Sequence, residues 1–121
     1  MEYEEYIADI FKRYPYFFDT IEKKYCSVPK GWRDLFSSFL KEADAYIENS
    51  EKDMDFKILQ VKQKWFNFVI YYSGADENLK ELVGNTEKAA KNYCLSCGVI
   101  LDRNIEEVER GRCSGCNNDR R

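Results

Sequence analysis

Four of the five cysteines stand as two close pairs, Cys94-Leu95-Ser96-Cys97 and Cys113-Ser114-Gly115-Cys116, with fifteen residues between them. Two residues between cysteines let a tight turn aim both sulfurs at one point, and two such turns supply four thiolates in a tetrahedron. Gly98 follows the first pair, where a left-handed backbone angle is often needed, and Ser114-Gly115 keeps the second turn small. The spacing matches a zinc ribbon, so Cys94, Cys97, Cys113 and Cys116 are expected to hold one Zn2+ ion. Reduced cysteines without metal and an iron–sulfur centre are the alternatives, because tetrahedral sulfur accepts zinc and iron alike. With every ligand a protein thiolate, no position stays open for water or substrate, and the expected role is structural. Four thiolates leave the site negative; Arg103, Arg110 and Arg112 are candidates to offset this, or are ordinary solvated charge. Val99, Ile100, Leu101, Ile105 and Val108 suffice for a short hairpin or turn on the knuckles, but not for a core that folds without the ion. Only five residues follow Cys116, too few for the helix of a treble clef, which favours two knuckles with a ribbon-like connection.

Ahead of the cysteines the apolar pattern is helical, then alternating, then helical again. Tyr3, Tyr6, Ile7, Ile10, Phe11 and Tyr14 form one stripe that Pro15 ends. Tyr16, Phe17, Ile21 and Tyr25 suggest a second, short helix, and Cys26 to Gly31 reads as a loop. Trp32, Leu35, Phe36, Phe39, Leu40, Ala43 and Ile47 mark the clearest helix, with Asp34 in its first turn and Asn49-Ser50 at its end. Residues 56–72 then turn β-branched and aromatic, which predicts two strands joined near Gln63-Lys64-Trp65; a buried helix is the competing reading. Asp76 can open a last helix carrying Leu79, Leu82, Val83, Thr86, Ala90 and Tyr93, which runs into Cys94. The expected fold class is α+β. Residues 1–93 make a mostly helical domain with a hairpin near 56–72, and residues 94–121 make the zinc-binding segment with its four cysteines.

Charge and composition narrow the function. The chain of 121 residues is net −3, so it is not a general phosphate binder, although a local basic patch would suffice for nucleic acid. Glu42, Asp44, Glu48, Glu51, Asp53 and Asp55 face a single Lys52 in their stretch, and they are the candidate surface for a basic protein partner. Their plainer reading is a solvated helix face and loop. Lys57, Lys62, Lys64 and Trp65 cluster on the predicted hairpin, which supports nucleic-acid binding as the alternative, unless Trp65 belongs to the core. Nineteen aromatic residues supply both core and interface anchors. The chain has no histidine, no glycine-rich phosphate loop and no nucleophile motif, so no catalytic residue is assigned and an enzyme is not expected. Adjacent acids such as Glu4-Glu5 and Glu106-Glu107 diverge on a helix, and Cys26 lacks a partner base. An acidic N-terminus without an apolar run, and paired cysteines of the metal type, fit a reducing cytoplasm without membrane contact.

Four runs also carry a resemblance: Gly31-Trp32-Arg33-Asp34-Leu35, Gln60-Val61-Lys62-Gln63-Lys64, Tyr71-Tyr72 and Cys94-Leu95-Ser96-Cys97-Gly98. Over roughly residues 29–116 the chain resembles small zinc-bearing proteins of phages and prophages. Members usually carry glycines after the lysines, where this chain has Trp65, Phe66 and Asn67. Such proteins include anti-CRISPR proteins. The resemblance implies a phage-encoded inhibitor in the cytoplasm of a host bacterium, binding a type II CRISPR effector nuclease and blocking DNA recognition or cleavage. Effectors of that kind hold nucleic acid in positively charged channels that an acidic protein can obstruct.

Overall fold

The computed structural model describes residues 2–51, 53–101, 112, 113, 115 and 116. It has an α+β layout: α1 (Tyr3–Arg13), α2 (Arg33–Glu48), strands β1 (Lys57–Lys64) and β2 (Asn67–Ser73), and α3 (Glu77–Ala90). The strands pair antiparallel, with a bulge that leaves Leu59 unpaired between Ile58 and Gln60. The segment expected to be a second helix, residues 16–25, instead forms turns closed by a single 3-10 turn at Lys23–Tyr25. Its apolar residues Phe17 and Phe18 are anchored individually in the core.

Alternation in β2, and the bulge at Leu59 that shifts β1 by one residue, put Ile58, Val61, Phe68 and Ile70 on the inner face of the hairpin, where all four are buried. The stripe of α2 lies against them. Trp32 and Phe36 meet Phe68 with ring centroids 5.0 and 5.7 Å apart, and Phe39 meets Phe56 at 6.4 Å. Each such ring buries a large apolar area, which is how a small domain closes its core. α1 packs through Tyr6, Ile7 and Ile10, and the Tyr6 hydroxyl donates to the Arg33 carbonyl at 3.0 Å. Burial pushes that hydroxyl up to about 12. Asp76 caps α3 by accepting from the Leu79 amide at 2.9 Å, and Thr86, buried in the helix, returns its hydroxyl to the Leu82 carbonyl.

The two edges of the sheet are treated differently. β1 is covered: Ser27 donates to the Val61 carbonyl and Ile58 donates to the Phe17 carbonyl, both at 2.8 Å. No strand pairs with the outer edge of β2 among the described residues. There the Ile70 amide donates to the Glu87 carboxylate of α3 at 2.9 Å.

α2 and α3 run in opposite directions. The Tyr46 hydroxyl near the end of α2 donates to Asp76 at the start of α3, and the Trp32 indole at the start of α2 donates to the Tyr93 carbonyl just past α3. The hairpin tip, the end of α3 and the first cysteine pair therefore gather at one end of the molecule. Among the described residues no helix is long and apolar enough to cross a membrane.

Candidate metal centre

The chain that leaves α3 turns at Lys91–Asn92 and folds back on itself. Tyr93 bridges to Ile100, Leu101 donates to the Asn92 carbonyl, and Cys94 donates to the Val99 carbonyl, the last two at 2.8 Å. Inside that loop Gly98 donates to the Cys94 carbonyl at 2.8 Å and takes φ +86°, the left-handed angle its position in the sequence predicted. This is a cysteine knuckle. It is fixed to the body by burial of Leu95 and Leu101 and by a backbone joint at Gly31, whose amide donates to the Leu95 carbonyl at 2.8 Å. The joint has no room for a side chain: a Cβ on Gly31 would lie 1.8 Å from the Cys94 carbonyl oxygen.

The second pair closes on the first. The sulfurs of Cys94, Cys97, Cys113 and Cys116 all lie within 4.8 Å of one another, close enough to hold one metal ion. Cys97 and Cys113 are 3.7 Å apart. A tetrahedron with metal–sulfur bonds of about 2.3 Å has edges of about 3.8 Å, so this pair already sits at the separation a bound ion requires. Cys94 is buried against the body, Cys113 and Cys116 are half-buried, and Cys97 is exposed.

The electrostatics favour a cation. Burial opposes ionisation of Cys94, but the backbone amides of Cys113, Cys97 and Ser96, with the Cys116 thiol, outweigh it and hold Cys94 at about 6. Cys116 is pushed well up, first by its hydrogen bond with Cys113 and then by burial. Cysteine ligands bind a metal as thiolates, so a bound divalent ion would replace the protons of these thiols with its own charge. Arg112 stands beside the first knuckle: its Nε donates to the Ser96 hydroxyl at 3.2 Å and its guanidinium lies 5.6 Å from the Phe66 ring. Arg103, Arg110, Ile105 and Val108, also expected to serve this segment, lie outside the described residues.

The remaining candidate residues fall in two places. Glu42, Glu48, Glu51, Asp53 and Asp55 are exposed. Asp44 is half-buried and accepts from the Tyr16 hydroxyl, which this bond pushes up to about 12. Asp55 is not free: it pairs with Lys57 at 3.3 Å, and Lys57 also reaches Asp19 at 2.9 Å. Trp65 is not core; it stands 81% exposed on the hairpin turn. Cys26 is a packed thiol, buried and pushed up to about 12 by that burial. Sequence reading missed Gly31 as the joint; a glycine just before a helix stripe signals a turn, and only the long-range pairing with Leu95 reveals its role. A cleft of about 330 Å3 between the first turn of α2 and the knuckle is lined by Lys30, Asp34, Ser38, Tyr93 and Cys97 among others. Set against known protein-family models, curated proteins and solved structures, the chain matches none of them.

Proposed function

We propose that this chain is a zinc-stabilised protein-binding module whose acidic end docks on a basic protein surface. The carrying observation is that Glu48, Glu51 and Asp53 stand exposed at the end where α2 stops and α3 begins, with Glu42 nearly two turns back along α2 and Glu77 in the first turn of α3. Among the described residues none of these five has an ion-pair partner except Glu77, which meets Lys80 at 3.4 Å. An array of exposed carboxylates at the end of a helix and in the loop after it raises the encounter rate with a positively charged groove and selects against acidic ones. The four-cysteine site serves this role as a staple, with zinc as the ion. Four protein thiolates leave it no open coordination position, which supports binding over catalysis.

Following the resemblance to phage proteins, the partner is a type II CRISPR effector nuclease, and docking in its nucleic-acid channel blocks recognition or cleavage of DNA. The test is target cleavage by the purified guide-loaded effector with the protein in excess. Inhibition that is lost in Glu48→Lys/Glu51→Lys, with the circular dichroism spectrum unchanged, supports the reading. Undiminished cleavage and no co-purification with that effector sink it.

A further inference from the structure

The opposite end of the molecule has the opposite character. Between Phe56 and Ala75 the chain carries three lysines and no acid, although its net charge is −3. Lys57 is neutralised at the open end of the hairpin by Asp19 and Asp55. Lys62 and Lys64 are not: they stand opposite Val69 and Asn67 on the outer face, and among the described residues neither makes an ion pair. Asn67 and Val69 in turn line a groove of about 330 Å3 with Gly84, Lys88 and Lys91 of α3 and the turn after it. The one acid in that lining, Glu87, is occupied by the Ile70 amide. Four lysines from two elements thus border one face.

Two aromatic side chains there, Trp65 and Tyr71, are exposed. Tyr71 is on the same outer face, with the Lys62 ammonium 5.5 Å from its ring. Trp65 tops the turn, and both Trp65 and Phe66 have positive φ, 53° and 65°. A two-residue hairpin loop of this kind favours Asn-Gly, so two bulky residues in it are strained. The strain is held by the Gln63 side chain accepting from the Phe66 amide and by the Asn67 side chain donating to the Trp65 carbonyl. Strained backbone presenting an exposed ring is the pattern of a binding site and not of a core.

We infer that this face binds single-stranded nucleic acid, with Trp65 and Tyr71 stacking on bases and Lys62, Lys64, Lys88 and Lys91 contacting phosphates. A flexible polyanion with free ring faces satisfies both halves of the surface at once. A duplex hides its bases, and an acidic peptide uses the lysines but leaves the rings idle. The reading is separate from the acidic end and does not depend on it.

The experiment is a fluorescence titration of the full-length, metal-loaded chain with short oligothymidylate and oligouridylate. Trp32 is fully buried, so a change reports Trp65. Saturable quenching is expected with at least one of the two, and the arm that binds more tightly tells DNA from RNA. Affinity should fall about tenfold or more between low and physiological salt. Trp65→Gly suits the turn angle and keeps the fold, and should weaken binding, followed by anisotropy, roughly tenfold. Lys64→Glu/Lys88→Glu should do at least as much. Absence of saturable binding at low salt overturns the inference. So does equal quenching by polyglutamate, which would indicate an acidic protein partner, or binding untouched by both variants.

Discussion

The helical body and the cysteine end are held together by different forces. In the body, Trp32, Phe36, Phe39, Ile58 and Phe68 are removed from water and interlock, so its stability is spread over many contacts. In the cysteine end only Leu95, Leu101 and Cys94 are buried among the described residues, and the rest of its cohesion comes from a handful of backbone hydrogen bonds and four converging sulfurs. One region spreads its stability over many contacts; the other gathers it at four sulfurs close enough to hold one metal ion. The joint between them is narrow: Gly31 on Leu95, and the Trp32 indole on the Tyr93 carbonyl at 3.2 Å.

Removing the metal should have the largest effect. Structural zinc sites contribute apparent binding energies of about 10–16 kcal/mol, and with zinc bound here that would be folding energy for the tail alone. Chelation, or Cys113→Ser, should abolish hydrogen-exchange protection over Cys94–Leu101 and leave that of α2 and β1 intact. Loss of both together would erase the distinction. Elemental analysis should find one zinc per chain.

Gly31→Ala comes next. The added methyl collides with the backbone of the knuckle and not with a flexible side chain, so the cost is about 3 kcal/mol or more. It should fall on metal affinity, measured by competition with a chelator. The melting of the body should move less than the affinity does.

Alkali should separate the regions by sign. Cys26 and Tyr6 keep their protons in the folded body up to about 12 but ionise in the unfolded chain from their ordinary values of 9.0 and 10.0. Above pH 9 the unfolded state therefore holds fewer protons, and stability falls with rising pH by at most about 1.4 kcal/mol per pH unit for each group. Metal-bound thiolates have no proton to lose, so the tail should weaken only toward acid, where protons compete with the ion. Urea melts at a series of pH values, followed by tryptophan emission and by metal release, would resolve the two. The smallest effect is a gain: a Cβ on Gly84 meets nothing within 4 Å, so Gly84→Ala should stabilise the body by about 1 kcal/mol in the same melts.

Much of this was readable from residue order because period and spacing are local. The stripe from Trp32 to Ile47 predicts α2, which spans Arg33–Glu48, and Asp76 caps α3 as its side chain allows. The two runs around Gln63-Lys64-Trp65 form the hairpin, with the turn one residue later than expected, at Trp65-Phe66. The spacing of the two cysteine pairs predicts one four-sulfur site, and the four sulfurs lie within 4.8 Å of one another. Residues 16–25 misled because Phe17, Ile21 and Tyr25 recur at helical spacing, yet the rings there answer to different neighbours: Phe17 meets Phe56 and Phe18 stacks on Phe11. What local pattern does not carry is pairing at long range. Gly31 with Leu95, Arg112 with Phe66 and Glu87 with Ile70 each join residues far apart in sequence.

The carboxylate that Glu87 lends to the Ile70 amide has a consequence for how these molecules behave in company. An unclaimed strand edge is a template on which a neighbour's strand can lengthen the ladder. Here the middle of that edge carries an anion fixed to its own donor, so an incoming strand must displace a charge before it can register. The hairpin can keep its rings and lysines in water while the chain resists growing into ribbons of itself.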